Sequence, residues 1–116
     1  MQYMFLIYEN ETAWEALGPE ERSASVARHI SFAQELKDGG RLIAGDGLQP
    51  TSTATTVRRD GHQTLITDGP FAETKEQLGG FYVIEARDLD HALEDAARLS
   101  AREGEVIEVR PVMDYS

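Results

Sequence analysis

Two short runs of the chain are apolar on both alternating faces, which is the pattern of a β-strand covered on its two sides. The first run spans residues 2–8 (QYMFLIY), and the second spans residues 78–85 (LGGFYVIE). In the second run Phe81 and Val83 fall on one face, and Tyr82 and Ile84 fall on the other. Both runs are predicted to be strands that are buried on both faces.

Two longer segments repeat apolar residues at three- and four-residue steps, which is the period of an amphipathic helix. The first begins after Gly18 with Pro19 in the first turn, and Gly39-Gly40 ends it. The second has Asp88 as its N-cap and is closed by Gly104. The stripes are Val26, His29, Ile30, Ala33 and Leu36 in the first helix, and Leu89, Ala92, Leu93, Ala96 and Leu99 in the second.

The remaining segments are short and are bounded by turn residues. Further strands are predicted at residues 41–44, 53–57, 63–67 and 106–112. Asp60-Gly61 is a strong hairpin signal, residues 45–47 (GDG) are predicted to be a turn, and a T-A-W-E capping box predicts a short helix starting at Thr12. Residues 68–77 are predicted to be an exposed loop, because Pro70 cannot donate to a ladder and Gly69 favours turns.

This order of elements predicts an α+β fold, a ferredoxin-like split βαβ arrangement with an inserted β-hairpin. Its antiparallel sheet carries the two helices on one face only. The doubly apolar strands therefore need a second layer on the other face, which a second copy of the chain supplies most simply. We expect a homodimer.

Composition narrows the classes of function. The 116 residues carry a net charge of -10, so the summed field repels phosphate backbones, and direct nucleic-acid binding is not expected. The chain has no cysteine, which excludes disulfides and thiolate chemistry and fits a reducing compartment. No run is long enough to span a membrane, and the N-terminal apolar run lacks the features of a signal peptide. A cytoplasmic protein without membrane contact is predicted.

An eighteen-residue run starting at Asp68, DGPFAETKEQLGGFYVIE, resembles the signature of the DGPF-domain branch of the YCII-like family. Residues 39–42 (GGRL) together with Gly45 resemble its other recurring segment. The resemblance covers nearly the whole chain and implies a single domain over residues 1–116. It also implies a ferredoxin-like fold that pairs into a dimeric α+β barrel, and a biochemical role that is mostly unassigned.

His29 is the first candidate catalytic residue, because imidazole exchanges a proton near neutral pH. In YCII-like proteins a helix histidine at this position is thought to pair with an aspartate in an active-site cleft, and His29 matches that position. The alternative is a histidine at the edge of the core whose ring bonds a backbone carbonyl. Two aspartates compete as its partner: Asp68, for which the alternative is a structural role in its own loop, and Asp46, which lies between two glycines.

Five further residues are candidates for substrate binding. Arg41 or Lys75 is predicted to hold a substrate carboxylate, although Lys75 and Glu73 also fit an ordinary solvated loop. Gly79 and Gly80 interrupt a strand, so they predict either a structural bulge or a close approach of the backbone to a ligand.

Other chemistries lack their sequence patterns. No histidine spacing typical of a zinc or iron site occurs, and no phosphate-binding loop, Rossmann fingerprint or G-x-S-x-G elbow is present. The first hypothesis is therefore a cofactor-independent acid–base enzyme, a lyase, isomerase or oxygenase acting on a small organic substrate. The alternative is a non-catalytic ligand-binding or regulatory module associated with a sigma factor, as the resemblance implies, without DNA binding of its own.

Overall fold

The computed structural model describes residues 1–100 and 102–116. In chain order the elements are β1 (Gln2–Glu9), α1 (Glu11–Ala16), α2 (Pro19–Asp38), β2 (Leu42–Gly47), β3 (Thr55–Asp60), β4 (Gln63–Asp68), β5 (Gln77–Glu85), α3 (Leu89–Leu99) and β6 (Val106–Pro111). A 3-10 turn lies at Thr51–Thr53. The predicted α+β class is confirmed.

Four strands form one antiparallel sheet in the order β2-β5-β1-β6. This order, with β1 and β5 in the middle, is that of a ferredoxin-like fold. Strands β3 and β4 form a separate two-stranded hairpin whose turn contains Gly61 at φ 60°. The inserted hairpin is therefore confirmed.

The core lies between the inner face of the sheet and helices α2 and α3. Alternate residues of β1 point toward the helices, so Tyr3, Phe5 and Ile7 are buried while Met4, Leu6 and Tyr8 on the outer face are half-buried. The helices contribute Phe32, Leu36, Ala92, Ala96 and Leu99 to the same cluster. Among the described residues, no helix combines the length and apolar character that crossing a membrane requires.

The predicted turn at residues 45–47 is wrong, because these residues continue strand β2. Gly45 pairs with Tyr82 of β5, and a Cβ at Gly45 would lie 2.6 Å from Cδ1 of that tyrosine. The glycine is therefore required by the ring that packs on the strand, and a turn has no part in it. The neighbouring glycines of β5 do form the predicted bulge: Ile7 pairs with Gly80 and Tyr8 with Leu78, which leaves Gly79 unpaired.

The apolar stripe predicted for α2 is only partly a core stripe. Leu36 is buried, but Val26 is 49% exposed and Ile30 is 65% exposed. The residues of α2 that are buried are Ser25, Phe32 and Leu36. Periodicity located the apolar side of the helix correctly, but half of that side faces a cavity.

Two helix ends also differ from the predictions. Helix α1 begins at Glu11, one residue earlier than predicted, because Asn10 accepts a hydrogen bond from the backbone N–H of Ala13 and acts as the N-cap. Helix α3 has the predicted cap, Asp88, but ends at Leu99. Gly104 lies beyond it in a loop at φ 90°, and residue 101 lies outside the described residues.

Candidate functional site

His29 of α2 has a hydrogen-bond partner at each ring nitrogen. Its Nδ1 lies 3.1 Å from the hydroxyl oxygen of Tyr82, and its Nε2 lies 3.1 Å from Oε2 of Glu105. The side chain is 22% exposed, so the ring is sheltered but still reachable. Helix α2, strand β5 and the segment before β6 thus converge on one imidazole.

Tyr82 is held by packing on three sides. It lies on the inner face of β5, its ring fills the space left by Gly45, and Phe32 meets it edge-on with the ring centroids 5.5 Å apart. The His29 ring stacks against it at an interplanar angle of 13°. This packing places the Tyr82 hydroxyl within reach of two acceptors, His29 Nδ1 at 3.1 Å and the His29 carbonyl oxygen at 3.3 Å.

Glu105 is a buried carboxylate at the entry to β6. Its side chain is 2% exposed, and guanidinium nitrogens of Arg28 and Arg102 lie 3.7 and 3.6 Å from its oxygens. Burial by itself raises the pKa of Glu105, but the hydrogen bond from His29 and the charges of His29, Arg28 and Arg102 outweigh it, so the pKa lies below its usual value. Glu105 is therefore ionised near neutral pH.

Arg102 connects this carboxylate to the rest of the site. It forms an ion pair with Glu9 at the end of β1, and its guanidinium carbon lies 5.3 Å from the ring centroid of Trp14 in α1. Such a cation–π contact contributes roughly 0.5–2 kcal/mol, depending on desolvation. Helix α1 is thereby held against the end of the sheet.

The three polar groups Tyr82, His29 and Glu105 form a chain along which a proton can move. When the ring is neutral with its proton on Nε2, Glu105 accepts from Nε2 and Nδ1 accepts from the Tyr82 hydroxyl. When the ring is charged, Nδ1 becomes a donor to Tyr82, whose hydroxyl can donate to the His29 carbonyl instead. Burial, followed by the charge of Glu105, raises the pKa of Tyr82, so the phenol keeps its proton at neutral pH.

A cavity of about 540 Å³ lies beside these three polar groups, and residues of α1, α2, β2 and β5 line it. Its volume falls within the range of small-molecule sites. His29, Tyr82 and Glu105 line it, together with the apolar residues Trp14, Val26, Ile30 and Leu48. The exposed half of the α2 stripe therefore faces a space of the size and polarity that suit a small organic ligand.

Comparison with known proteins agrees with the DGPF run and the fold. The sequence profile of the YCII-related domain matches residues 1–116. The chain belongs to the YCII-related family. It is also 41% identical over 118 residues to uncharacterized protein R00369 of Rhizobium meliloti (strain 1021), an alignment that covers 99% of this chain and 94% of that protein.

Four of the residues singled out in the sequence line the cavity of this YCII-related protein. These are His29, Asp46, Gly79 and Gly80. A Cβ at Gly80 would lie 3.0 Å from the backbone oxygen of Asp46, so strands β2 and β5 approach closely at the cavity wall. The catalytic role of His29 and Asp46 and the binding role of the glycines stay predictions.

The other four predicted residues lie away from the cavity. Asp68 pairs with Thr55 at the end of the hairpin, and Glu73 lines a separate polar cleft. The backbone oxygen of Lys75 accepts a hydrogen bond from Asn10, and Arg41 forms an ion pair with Asp95. Among the described residues, the hydrogen-bond partners of His29 are Tyr82 and Glu105, and neither Asp68 nor Asp46 is among them. Site roles for these four residues stay predictions.

Within residues 1–100 and 102–116, no group of three or more histidine, aspartate or glutamate side chains is arranged to hold a metal ion. The chemistry that the described residues offer at the cavity is proton transfer and hydrogen bonding.

Proposed function

We propose that this YCII-related protein is a cofactor-independent acid–base enzyme, a lyase, isomerase or oxygenase, that acts on a small organic substrate in the cavity beside His29. The observation that carries the proposal is the histidine with a buried carboxylate on one ring nitrogen and a tyrosine on the other, at the wall of a largely apolar cavity. A paired His and carboxylate is the usual arrangement of a general base with its orienting group.

The three hydrogen-bonded residues Tyr82, His29 and Glu105 each have a distinct role in the proposal. Glu105 is a positioning residue, which holds His29 in one tautomer and stabilises the ring when it gains a proton. Tyr82 and His29 line the cavity and are the groups that meet the substrate. Because both ring nitrogens have partners, the proton passes between substrate and His29 through the Tyr82 hydroxyl, which swings to the His29 carbonyl as the ring becomes charged.

Glu105 thus takes the orienting role for which Asp68 and Asp46 were candidates. Asp46 lines the same cavity, but it pairs with Phe81 in the ladder, which puts its side chain on the outer face of the sheet. Asp68 sits on the hairpin, where it ends strand β4.

The proposal is tested by solvent exchange, because a general base breaks the C–H bond of a carbon acid and takes its proton before any bond between heavy atoms is broken. The protein is incubated in D2O with a panel of small aryl ketones such as phenylacetone, and loss of the α-proton signals is followed by NMR. We expect exchange above the buffer rate, reduced by about 100-fold or more in His29→Ala. The matched control is His62→Ala, an exposed histidine in the hairpin turn.

Two results would contradict the proposal. One is an exchange rate that stays the same in His29→Ala. The other is a protein that neither binds nor exchanges any member of the panel while remaining folded.

We also propose that the protein works as a homodimer, joined through the outer face of the sheet. Met4, Leu6 and Tyr8 place apolar surface there. Ile66 of the hairpin is 70% exposed. Apolar surface of this kind is typical of an interface. Sedimentation at micromolar concentration is expected to give a dimer, and Leu6→Glu a monomer. A monomeric wild-type protein would contradict this proposal and leave the site proposal intact.

A further inference from the structure

Arg102 and Glu105 lie at the two ends of a turn, residues 102–105, between α3 and β6. The backbone N–H of Glu105 donates to the carbonyl oxygen of Arg102 at 3.3 Å. Gly104 within the turn has φ 90°, a conformation that glycine adopts at the least cost. The turn holds the arginine beside the carboxylate, and Nη2 of Arg102 lies 3.6 Å from Oε2 of Glu105.

Each oxygen of the Glu105 carboxylate faces a different arginine. Oε1 lies 3.7 Å from Nη2 of Arg28, and Oε2 lies 3.6 Å from Nη2 of Arg102. Oε2 is also the atom that lies 3.1 Å from Nε2 of His29. Because Arg28 and Arg102 attract different oxygens of one buried carboxylate, together they hold it in one orientation. Without Arg102, the attraction of Arg28 would turn the carboxylate away from His29.

The guanidinium of Arg102 also contacts the wall of the cavity. It forms an ion pair with Glu9 at the end of β1, and its central carbon lies 5.3 Å from the ring centroid of Trp14 in α1. Glu9 and Trp14 both line the cavity. The side chain of Arg102 is 17% exposed, so salt screens these contacts less than it screens a surface pair.

Helix α1 depends on such contacts for its position. It has six residues, all exposed or half-buried, and a helix this short is not stable on its own. At its start, the Glu11 carboxylate accepts hydrogen bonds from the backbone N–H and the hydroxyl of Thr51, both at 2.8 Å. In the following turn, Trp14 contacts Arg102. The position of Trp14 at the cavity therefore relies on this arginine.

We infer that Arg102 is a positioning residue that couples the cavity wall to the proposed proton-transfer site. One guanidinium holds Trp14 at the cavity and keeps Glu105 turned toward His29. A ligand that displaces Trp14 therefore changes the orientation of Glu105, and with it the hydrogen bond at Nε2 of His29. This inference rests on the proposed function and names a residue that regulates the same site.

Fluorescence and NMR spectra of the ligand-free protein test the inference. Trp14 is the single tryptophan of the chain, so tryptophan emission reports on this residue alone. In Arg102→Met we expect emission at a longer wavelength and stronger quenching by acrylamide, because the indole becomes more exposed. We also expect the Nε2 signal of His29 to shift, because Glu105 is no longer held toward it. Arg102→Lys keeps the charge but loses the planar guanidinium, and smaller changes are expected.

The coupling is also tested from the cavity side. Trp14→Leu removes the indole ring and leaves Arg102 in place, and it is expected to shift the Nε2 signal of His29, because a coupling acts in both directions. Trp14→Phe keeps a ring face for the guanidinium and is expected to give a smaller shift.

Phenylacetone serves as the probe of ligand binding in the cavity. We expect Arg102→Met to weaken its binding by about two- to fivefold, because binding must then also order α1 without the contribution of one cation–π contact.

The matched control is Arg98→Met. Arg98 also lies over an aromatic ring, 5.9 Å from the centroid of Phe32, and it also forms ion pairs with two carboxylates. Because these contacts join α3 to α2 and do not involve α1, we expect Arg98→Met to leave the Trp14 emission and the Nε2 signal of His29 unchanged.

Four results would overturn the inference. They are an unshifted Nε2 signal of His29 in folded Arg102→Met, shifts of equal size in Arg98→Met, an unshifted signal in Trp14→Leu, and an unchanged affinity for phenylacetone in Arg102→Met. If Arg102→Met does not fold, Arg102→Lys and Trp14→Leu decide the question. Because the spectra are recorded without ligand, they remain decisive if no proton exchange is observed, a result that would count against the proposed function alone.

Discussion

Two buried carboxylates of this protein have similar partners and different surroundings. Asp95 of α3 binds Arg41 and Arg98, and Glu105 lies close to Arg28 and Arg102. The Asp95 network joins α3 to the strand edge and to Glu35 of α2. Glu105 alone adds a histidine, a tyrosine and a cavity.

The difference between the two networks shows what marks a functional site. A buried ion pair is common in structural roles and indicates neither catalysis nor binding by itself. A second titratable group within hydrogen-bond distance, next to open space of ligand size, is what separates Glu105 from Asp95. The contrast leads to four predictions.

The largest effect is expected when either carboxylate loses its charge. Asp95→Asn and Glu105→Gln each leave two arginines without their anion, so each is expected to lower the free energy of unfolding by about 3 to 4 kcal/mol, measured by urea denaturation. Only Glu105→Gln is expected to abolish proton exchange and to alter ligand binding. If Asp95→Asn abolishes exchange as well while the protein stays folded, the two networks are not functionally distinct.

The next effect compares two apolar residues on the same helix. Leu36 is 2% exposed and belongs to the core, whereas Ile30 is 65% exposed and lines the cavity. Leu36→Ala is expected to cost about 3 kcal/mol of stability and Ile30→Ala less than about 1 kcal/mol. Ile30→Ala is instead expected to weaken probe binding. Equal losses of stability would show that the cavity is filled in solution.

A smaller effect is expected at the glycine behind Tyr82. Gly45→Ala places a Cβ against the ring, so it is expected to cost about 1 to 3 kcal/mol and to shift the NMR signals of Tyr82 and His29. Gly18→Ala is the matched control, since no heavy atom lies within 4 Å of the added carbon. Unshifted signals in Gly45→Ala would mean that this contact does not position the tyrosine.

The smallest effect is expected on the stability of the fold at acidic pH. Burial alone raises the pKa of Asp95, but its hydrogen bonds to Arg41 and Arg98 and their charges outweigh this and lower it, as happens at Glu105. The unfolded chain then binds protons more readily than the folded one, so the stability is complete above the ordinary carboxyl pKa of about 4 and is lost as pH falls through the lower folded values.

This loss is expected to be smaller in either amide variant than in wild type, because each variant lacks one of the two carboxyls whose pKa is lowered by folding. Glu94→Gln serves as the control with an exposed carboxylate. A pH dependence that is the same in all four proteins would contradict the two depressed pKa values.

The sequence was sufficient to predict the fold, because its signals are local. The local signals are the alternation in β1 and β5, Pro19 in the first turn of α2, the N-cap Asp88 and the turn glycine Gly61, and each acts within a few residues. Gly45 was assigned to a turn because its local context resembles one, although its purpose is contact with a ring on a neighbouring strand.

The site was only partly predictable from the sequence, because its contacts join residues that lie far apart along the chain. His29 was found from its residue type and position, but its partner Glu105 lies 76 positions away in sequence, and only the packed sheet and helices bring the two together. Tyr82 was assigned to a strand face because an aromatic residue there normally packs in the core. Helical periodicity also cannot distinguish Leu36, which faces the core, from Ile30, which faces a cavity.

The decisive measurement is a long-range 1H–15N correlation spectrum of His29, recorded at a pH high enough for the ring to be neutral. A proton relay through Tyr82, His29 and Glu105 requires the ring proton on Nε2, with a change in the Nδ1 signal in Tyr82→Phe and in the Nε2 signal in Glu105→Gln. A proton on Nδ1, or a ring whose signals are unaffected by both variants, would contradict the relay.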